Sequence, residues 1–182
     1  MKKIKYSLLI LLSAATFMGC QKEYVAEKSK TVAMAGKWWY ELSYDANADG
    51  LFNDADGDAL LVSYADYGEA SLLTSNTNAN DADSILISDQ LSFGGGQWPM
   101  TFHAAVNLSD LTVKPATDLL NYANENAAVT IFEGKILKNA ATTLSGGKTD
   151  SIYLHLGFAD SPGDHYLVTG HRDTGFLEDQ HH

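Results

Sequence analysis

Gly36-Lys37-Trp38-Trp39-Tyr40-Glu41-Leu42-Ser43-Tyr44 alternates with a period of two: Trp38, Tyr40, Leu42 and Tyr44 fall on one side of an extended chain, and Lys37, Glu41 and Ser43 fall on the other with Trp39. Successive side chains of a strand point to opposite faces, so the stretch predicts a strand with one buried and one wet face. The alternation recurs in Phe102, Ala104, Val106, Leu108 and, most cleanly, in Ile152, Leu154, Leu156, Phe158 against Ser151, Tyr153, His155, Gly157. Similar runs at 60–64, 70–74, 85–88, 129–137 and 166–172 bring the expected strands to about eight, separated by clusters of Gly, Asn, Asp, Ser and Pro. The chain is therefore expected to be all-β and mainly antiparallel, with its strands in meander order, as a sandwich or a closed barrel. Only 115–127, with Leu119, Leu120 and Tyr122, is expected to hold a short helix.

Upstream of the first strand the pattern is different. Lys2, Lys3 and Lys5 precede an apolar run from Tyr6 to Phe17, and Phe17-Met18-Gly19-Cys20 closes it. A cationic start, a short apolar run and small residues before a cleavage point describe an export signal, and the run is too short for a permanent span. Read as a lipobox, it predicts cleavage before Cys20 and acylation of that residue with palmitate-like chains. Cys20 is the only cysteine, so an exported domain here has no disulfide to rely on. Residues 21–35 show no sustained apolar periodicity and read as a flexible tether. The expected organisation is a signal peptide at 1–19, an acylated tether at 20–35 and one domain at 36–178. The expected location is the outer membrane, on its periplasmic side or at the cell surface.

Composition narrows the partners. The whole chain carries a formal charge of -11; the leader holds three lysines and no acid, so its removal moves the charge to -14. Nucleic acid is excluded as an expected partner by that sign. Arg172 is the only arginine, which leaves few bidentate partners for phosphate headgroups. Any lipid held by the domain is expected to be gripped by its tail.

Gly36-Lys37-Trp38, the segment from Phe132-Glu133-Gly134-Lys135-Ile136-Leu137 through Thr142-Thr143 to Asp150-Ser151-Ile152-Tyr153, and Thr169-Gly170-His171-Arg172-Asp173-Thr174-Gly175-Phe176 together carry a family resemblance. With the lipobox, they resemble the lipid-binding putative hydrolase lipoproteins of Bacteroidetes, which are similar to lipocalins. The resemblance implies a single antiparallel eight-stranded meander barrel. It also implies that a basic side chain of the last strand, Arg172, lies across the indole of Trp38 and closes one end. If Trp38 points inward, Tyr40, Leu42 and Tyr44 do too. Together with Leu154, Leu156 and Phe158 they are the expected lining for a small hydrophobic ligand, or else the rings that fill the interior. An adhesion or interaction lipoprotein with a packed barrel and a protein or glycan partner is the alternative, and a hydrolase a more distant one.

Signs of catalysis are sparse. No Gly-x-Ser-x-Gly, His-Glu-x-x-His or Cys-x-x-Cys occurs. Asp160-Ser161-Pro162-Gly163-Asp164-His165 holds serine, aspartate and histidine, but it is a strong turn sequence whose members would not point at one spot. His103, His155 and His171 would hold a metal if their strands were neighbours sharing a face. No cofactor is required by this reading. Calcium is the one ion the spacing invites: Asp45, Asn47 and Asp49 stand at the first, third and fifth positions of a calcium loop, with Gly50 sixth, the Leu51 carbonyl seventh, Asn53 ninth and Asp56 twelfth.

Overall fold

The structure, a computed structural model, describes residues 28–63, 70–89 and 99–181. Ten strand segments follow one another: β1 (Gly36–Asp45), β2 (Ala59–Val62), β3 (Ser71–Asn76), β4 (Ser84–Ser88), β5 (Thr101–Asn107), β6 (Thr112–Val113), β7 (Ala116–Leu119), β8 (Val129–Thr142), β9 (Lys148–Phe158) and β10 (His165–Arg172). All recorded pairings are antiparallel, and β10 returns to pair with β1, so the sheet closes on itself. The segments occupy eight positions around the barrel. β1 pairs with β3 along its first half and with β2 along its second, and β8 pairs with both β6 and β7. The expected eight-stranded antiparallel meander barrel is the observed one, with two of its strands interrupted. The choice between sandwich and barrel is settled by the β1–β10 ladder, eight residue pairs from Trp38↔Arg172 to Asp45↔His165.

Alternation sets what faces in. Trp38, Tyr40, Leu42, Leu72, Ile87, Phe102, Val129, Leu154, Leu156 and Val168 are all fully buried, and they come from seven of the eight positions. Removing apolar surface from water contributes roughly 25 cal/mol per Å², so this inner layer is the main source of stability for a barrel without disulfides. The outward set on β1, including half-buried Glu41 and exposed Lys37, is polar apart from Trp39, which Lys37 covers at 4.2 Å.

One expectation is corrected. The helix expected at 115–127 does not form. Ala116–Leu119 instead makes strand β7, with Asp118 at φ 54°, and the chain then wraps around buried Asn121. The Asn121 carboxamide accepts from the amides of Thr101 and Ala123 and donates to the carbonyls of Pro99 and Ala127. An asparagine that satisfies four backbone groups competes directly with helical bonding, which is why the Leu119-Leu120 pair could not carry a helix. The chain just ahead of β1 packs against the barrel. Thr31 and Met34 are completely buried, and residues 31–35 form a tight turn against one end of the barrel. Cys20 and the signal segment lie outside the described residues, as does Tyr64 of the expected strand at 60–64.

Candidate functional site

One end of the barrel is closed by residues from six segments, the turn at 31–35 and strands β1, β3, β8, β9 and β10. The Arg172 guanidinium carbon sits 4.5 Å from the centre of the Trp38 ring. The indole Nε1 donates to Thr74 Oγ1 at 2.8 Å, and that hydroxyl donates to the Met34 carbonyl at 2.6 Å. Arg172 also donates through Nη1 to the Ala35 carbonyl and pairs through Nη2 with Asp150 at 3.2 Å. Lys138 reaches Asp150 at 2.8 Å and the Ala33 carbonyl at 3.1 Å. The glycine of Gly36-x-Trp38 has a steric reason: a Cβ there would lie 2.7 Å from Arg172 Nη1, so any side chain would push the guanidinium off the indole. Burial pushes the Asp150 carboxyl up, but hydrogen bonds from Lys138 and the Asn139 amide, with the charges of Lys138 and Arg172, outweigh it and hold the group below the ordinary range.

Above this plug the expected lining is in place as packing. Trp38, Tyr40, Leu42, Leu154 and Leu156 have no exposed surface and Phe158 almost none, so these side chains fill the centre of the barrel. At the opposite end the layer becomes aromatic, with Phe158 and Tyr166 buried and Tyr44 half-buried. Tyr44 and Tyr166 meet edge to face with centroids 6.0 Å apart, and Phe158 lies 5.8 Å from Tyr166. The Tyr44 hydroxyl donates to Asp164 at 3.3 Å; that carboxylate raises the phenol pKa, and burial does the same for Tyr166. Both phenols stay neutral, polar-tipped rings at the mouth. Leu51, Phe52, Leu60 and Leu61, in the β1–β2 connection and on β2, are exposed apolar side chains at this same end.

The turn at 160–165 is not a catalytic triad. Its members diverge: Asp164 faces Tyr44, whereas His165 turns to His155 at 2.8 Å. Nor do His103, His155 and His171 gather. His103 lies against Tyr122, and His171 contacts His181 at 2.9 Å. The calcium-like loop is folded on its own amides: Asp45 accepts from Asp49 and Gly50, Asp49 from Leu51, and Asp58 from Ala46 and Asn53. Asn53 caps the 3-10 turn Asp54–Asp56 and bonds Asp56 at 2.6 Å, while Leu51 stands out in solvent. What sequence reasoning missed is the partner of Asp45. Its buried carboxylate lies 3.4 Å from His155 Nε2, on the outside of the wall. The polar-face placement of His155 and the strong turn before His165 were the available signals.

No curated protein matches the chain. A model of the family described as "Lipid-binding putative hydrolase" matches residues 23–177, the whole described barrel with its flanking turns. The lipid-binding half of that description fits a closed barrel with an apolar interior, and the residues show no assembled hydrolytic triad among the described positions. The chain belongs to the lipid-binding putative hydrolase family.

Proposed function

We propose that this chain is a lipid-anchored envelope protein that binds an elongated apolar molecule, of fatty-acid or lysolipid type, through the end of its barrel opposite the Trp38–Arg172 plug and performs no covalent chemistry on it. The observation that supports this most is the family match across 23–177 on a closed barrel lined only by apolar and aromatic side chains at its centre. Because those side chains fill the interior, the tail enters by displacing the Tyr44, Tyr166 and Phe158 layer rather than by dropping into a standing cavity. Burying about 300 Å² of tail contributes about 7 kcal/mol at 25 cal/mol per Å², from which association and side-chain displacement are subtracted. Micromolar affinity follows without an ion pair, in keeping with a single arginine that is already committed to Trp38.

The anchor in this reading is Cys20, acylated after removal of residues 1–19. The tether leaves from the closed end. Lys28 and Lys30 are bonded to Asn80, so the free stretch is the eight steps from Cys20 to Lys28, which reach about 26–29 Å when extended, comparable with the barrel height of about 25 Å that a ten-residue strand of roughly 33 Å gives at a tilt of about 40°. The end opposite the plug can therefore turn back to the membrane and collect a lipid there, with exposed Leu51, Phe52, Leu60 and Leu61 touching down first.

One observation favours a second reading. The complete burial of Trp38, Tyr40, Leu42 and Leu156 is what an interaction lipoprotein with a solid barrel and a protein or glycan partner would show. The experiment that separates the two is mass spectrometry of an organic extract of the protein purified from its own envelope, followed by titration of fluorescent fatty acids while Trp emission is recorded. A stoichiometric co-extracted lipid and saturable micromolar binding are expected. A folded protein that yields neither belongs to the second reading.

A further inference from the structure

Outside the barrel wall, three groups from three strands converge. Asp45 ends β1, His155 lies on β9 and His165 opens β10, and the ladders β1–β10 and β9–β10 bring them to one face. His155 Nε2 is 2.8 Å from His165 Nδ1 and 3.4 Å from Asp45 Oδ2, and one donor atom of each residue lies within 4.8 Å of the others. Among the described residues no other set of three histidine, cysteine or acidic side chains comes together in this way. Donors bound to one zinc-sized ion at 2.0–2.1 Å in tetrahedral array stand about 3.3 Å apart, so the three atoms need shift by only a few tenths of an ångström to about 1.5 Å to share one.

The surroundings are those of a held site. The Asp45 side chain has no exposure, and its carboxylate is oriented by the Gly50 amide at 2.9 Å and the Asp49 amide at 3.3 Å. Ligand carboxylates are commonly fixed by such outer hydrogen bonds. Phe132 stacks on His165 at 4.2 Å with planes 10° apart and lies 4.8 Å from His155, which restrains both imidazoles and dries one side. Phe132 faces outward because a bulge in β8 sets both Phe132 and Glu133 opposite His155. The loop is tied over the site from the other side: Tyr153 donates to the Gly50 carbonyl at 2.7 Å. A Cβ on Gly50, whose φ is 78°, would come within 3.2 Å of His155 Nδ1.

We propose that Asp45, His155 and His165 form a binding site for a first-row divalent transition metal of the zinc class. Two imidazoles and one carboxylate suit that class, whereas calcium prefers six to eight oxygens. Three protein donors leave a coordination position for water or an incoming ligand atom, the arrangement of an open rather than a closed zinc site. The site lies outside the barrel wall and does not depend on whether a lipid enters the interior.

The test is a zinc titration of the intact chain in detergent against a chromophoric chelator, with cobalt spectra as a second readout. Stoichiometric zinc binding, and a cobalt d–d band of four- or five-coordinate type, are expected. Both should be lost in His165→Ala, with affinity falling more than about 100-fold, beyond the 10–100-fold typical of losing an outer partner. His165 is only half-buried, so this variant should keep its fold; His165→Gln, with unchanged circular dichroism, is the second probe. His181→Ala controls for the His171–His181 pair and should leave the site intact. No stoichiometric zinc binding by the wild-type chain, equal binding by His165→Ala and His165→Gln, or displacement of zinc by millimolar calcium would each overturn the assignment.

Discussion

Replacing Trp38 tests the closure of the barrel more sharply than any other single change. A buried tryptophan removes roughly 150–250 Å² of surface from water, about 4–6 kcal/mol at 25 cal/mol per Å². Truncation of buried aromatics typically costs 3–5 kcal/mol once partial relaxation is included. Trp38→Ala should therefore fall near that figure, a loss of about 6–20 °C in Tm for a domain of this size. It also removes the indole partner of Thr74, whose hydroxyl would retain the Met34 carbonyl. Arg172→Ala should cost less, about 0.5–2 kcal/mol for the stacked cation, together with an unpaired Ala35 carbonyl; Arg172→Lys should fall between, because an ammonium does not stack as a guanidinium does. Urea midpoints of the two single variants and the double variant give the coupling directly. Since the groups touch at 4.5 Å, a coupling of about 0.5–2 kcal/mol is expected. Strict additivity would refute the stacked plug.

Other expected outcomes rest on separate parts of the molecule. Cys20→Ala should move the protein from the envelope pellet to the soluble fraction; a variant that still sediments in high salt must have a second attachment. Leu156→Ala, at a site with no exposed surface, should cost about 2–5 kcal/mol and leave a cavity that admits small apolar molecules, while Leu156→Trp should be destabilised by overpacking; thermal melts with and without benzene check both. The Asp150 pKa is depressed in the folded state, so its contribution to stability is present above the ordinary carboxylate pKa and is lost as pH falls through the folded value; chemical denaturation from pH 6 to pH 2 should show a steeper loss for wild type than for Asp150→Asn. Calcium binding by the loop at 45–58 predicts weak heat in the range of about 0.1–1 mM, reduced in Asp49→Ala; calorimetry without heat to about 10 mM would leave the loop as a turn held by its own amides.

How much of this was legible depends on the range of the interactions. Period-two alternation is local, so Trp38, Tyr40, Leu42 and Leu154, Leu156, Phe158 could be placed on an inner face from sequence alone. Segment 115–127 was misread because the deciding group, Asn121, acts through bonds to Pro99 and Thr101, some twenty residues away. The register that sets Asp45 beside His155 depends on two ladders and spans 110 residues, so no spacing rule reaches it. The acidic loop read as a calcium pattern because Asx turns and calcium ligation use the same residues at similar intervals. In the fold, those side chains satisfy amides first.

The central claim, entry of an apolar tail into the barrel, is tested most directly by methyl NMR of the intact chain titrated with palmitate. The account predicts large shifts for the interior methyls of Leu42, Ile87, Leu156 and Val168, saturating together in the micromolar range, with smaller changes at exposed Leu51, Leu60 and Leu61. Interior methyls that stay fixed while palmitate is present at saturating concentration, whether or not the surface methyls move, would contradict it.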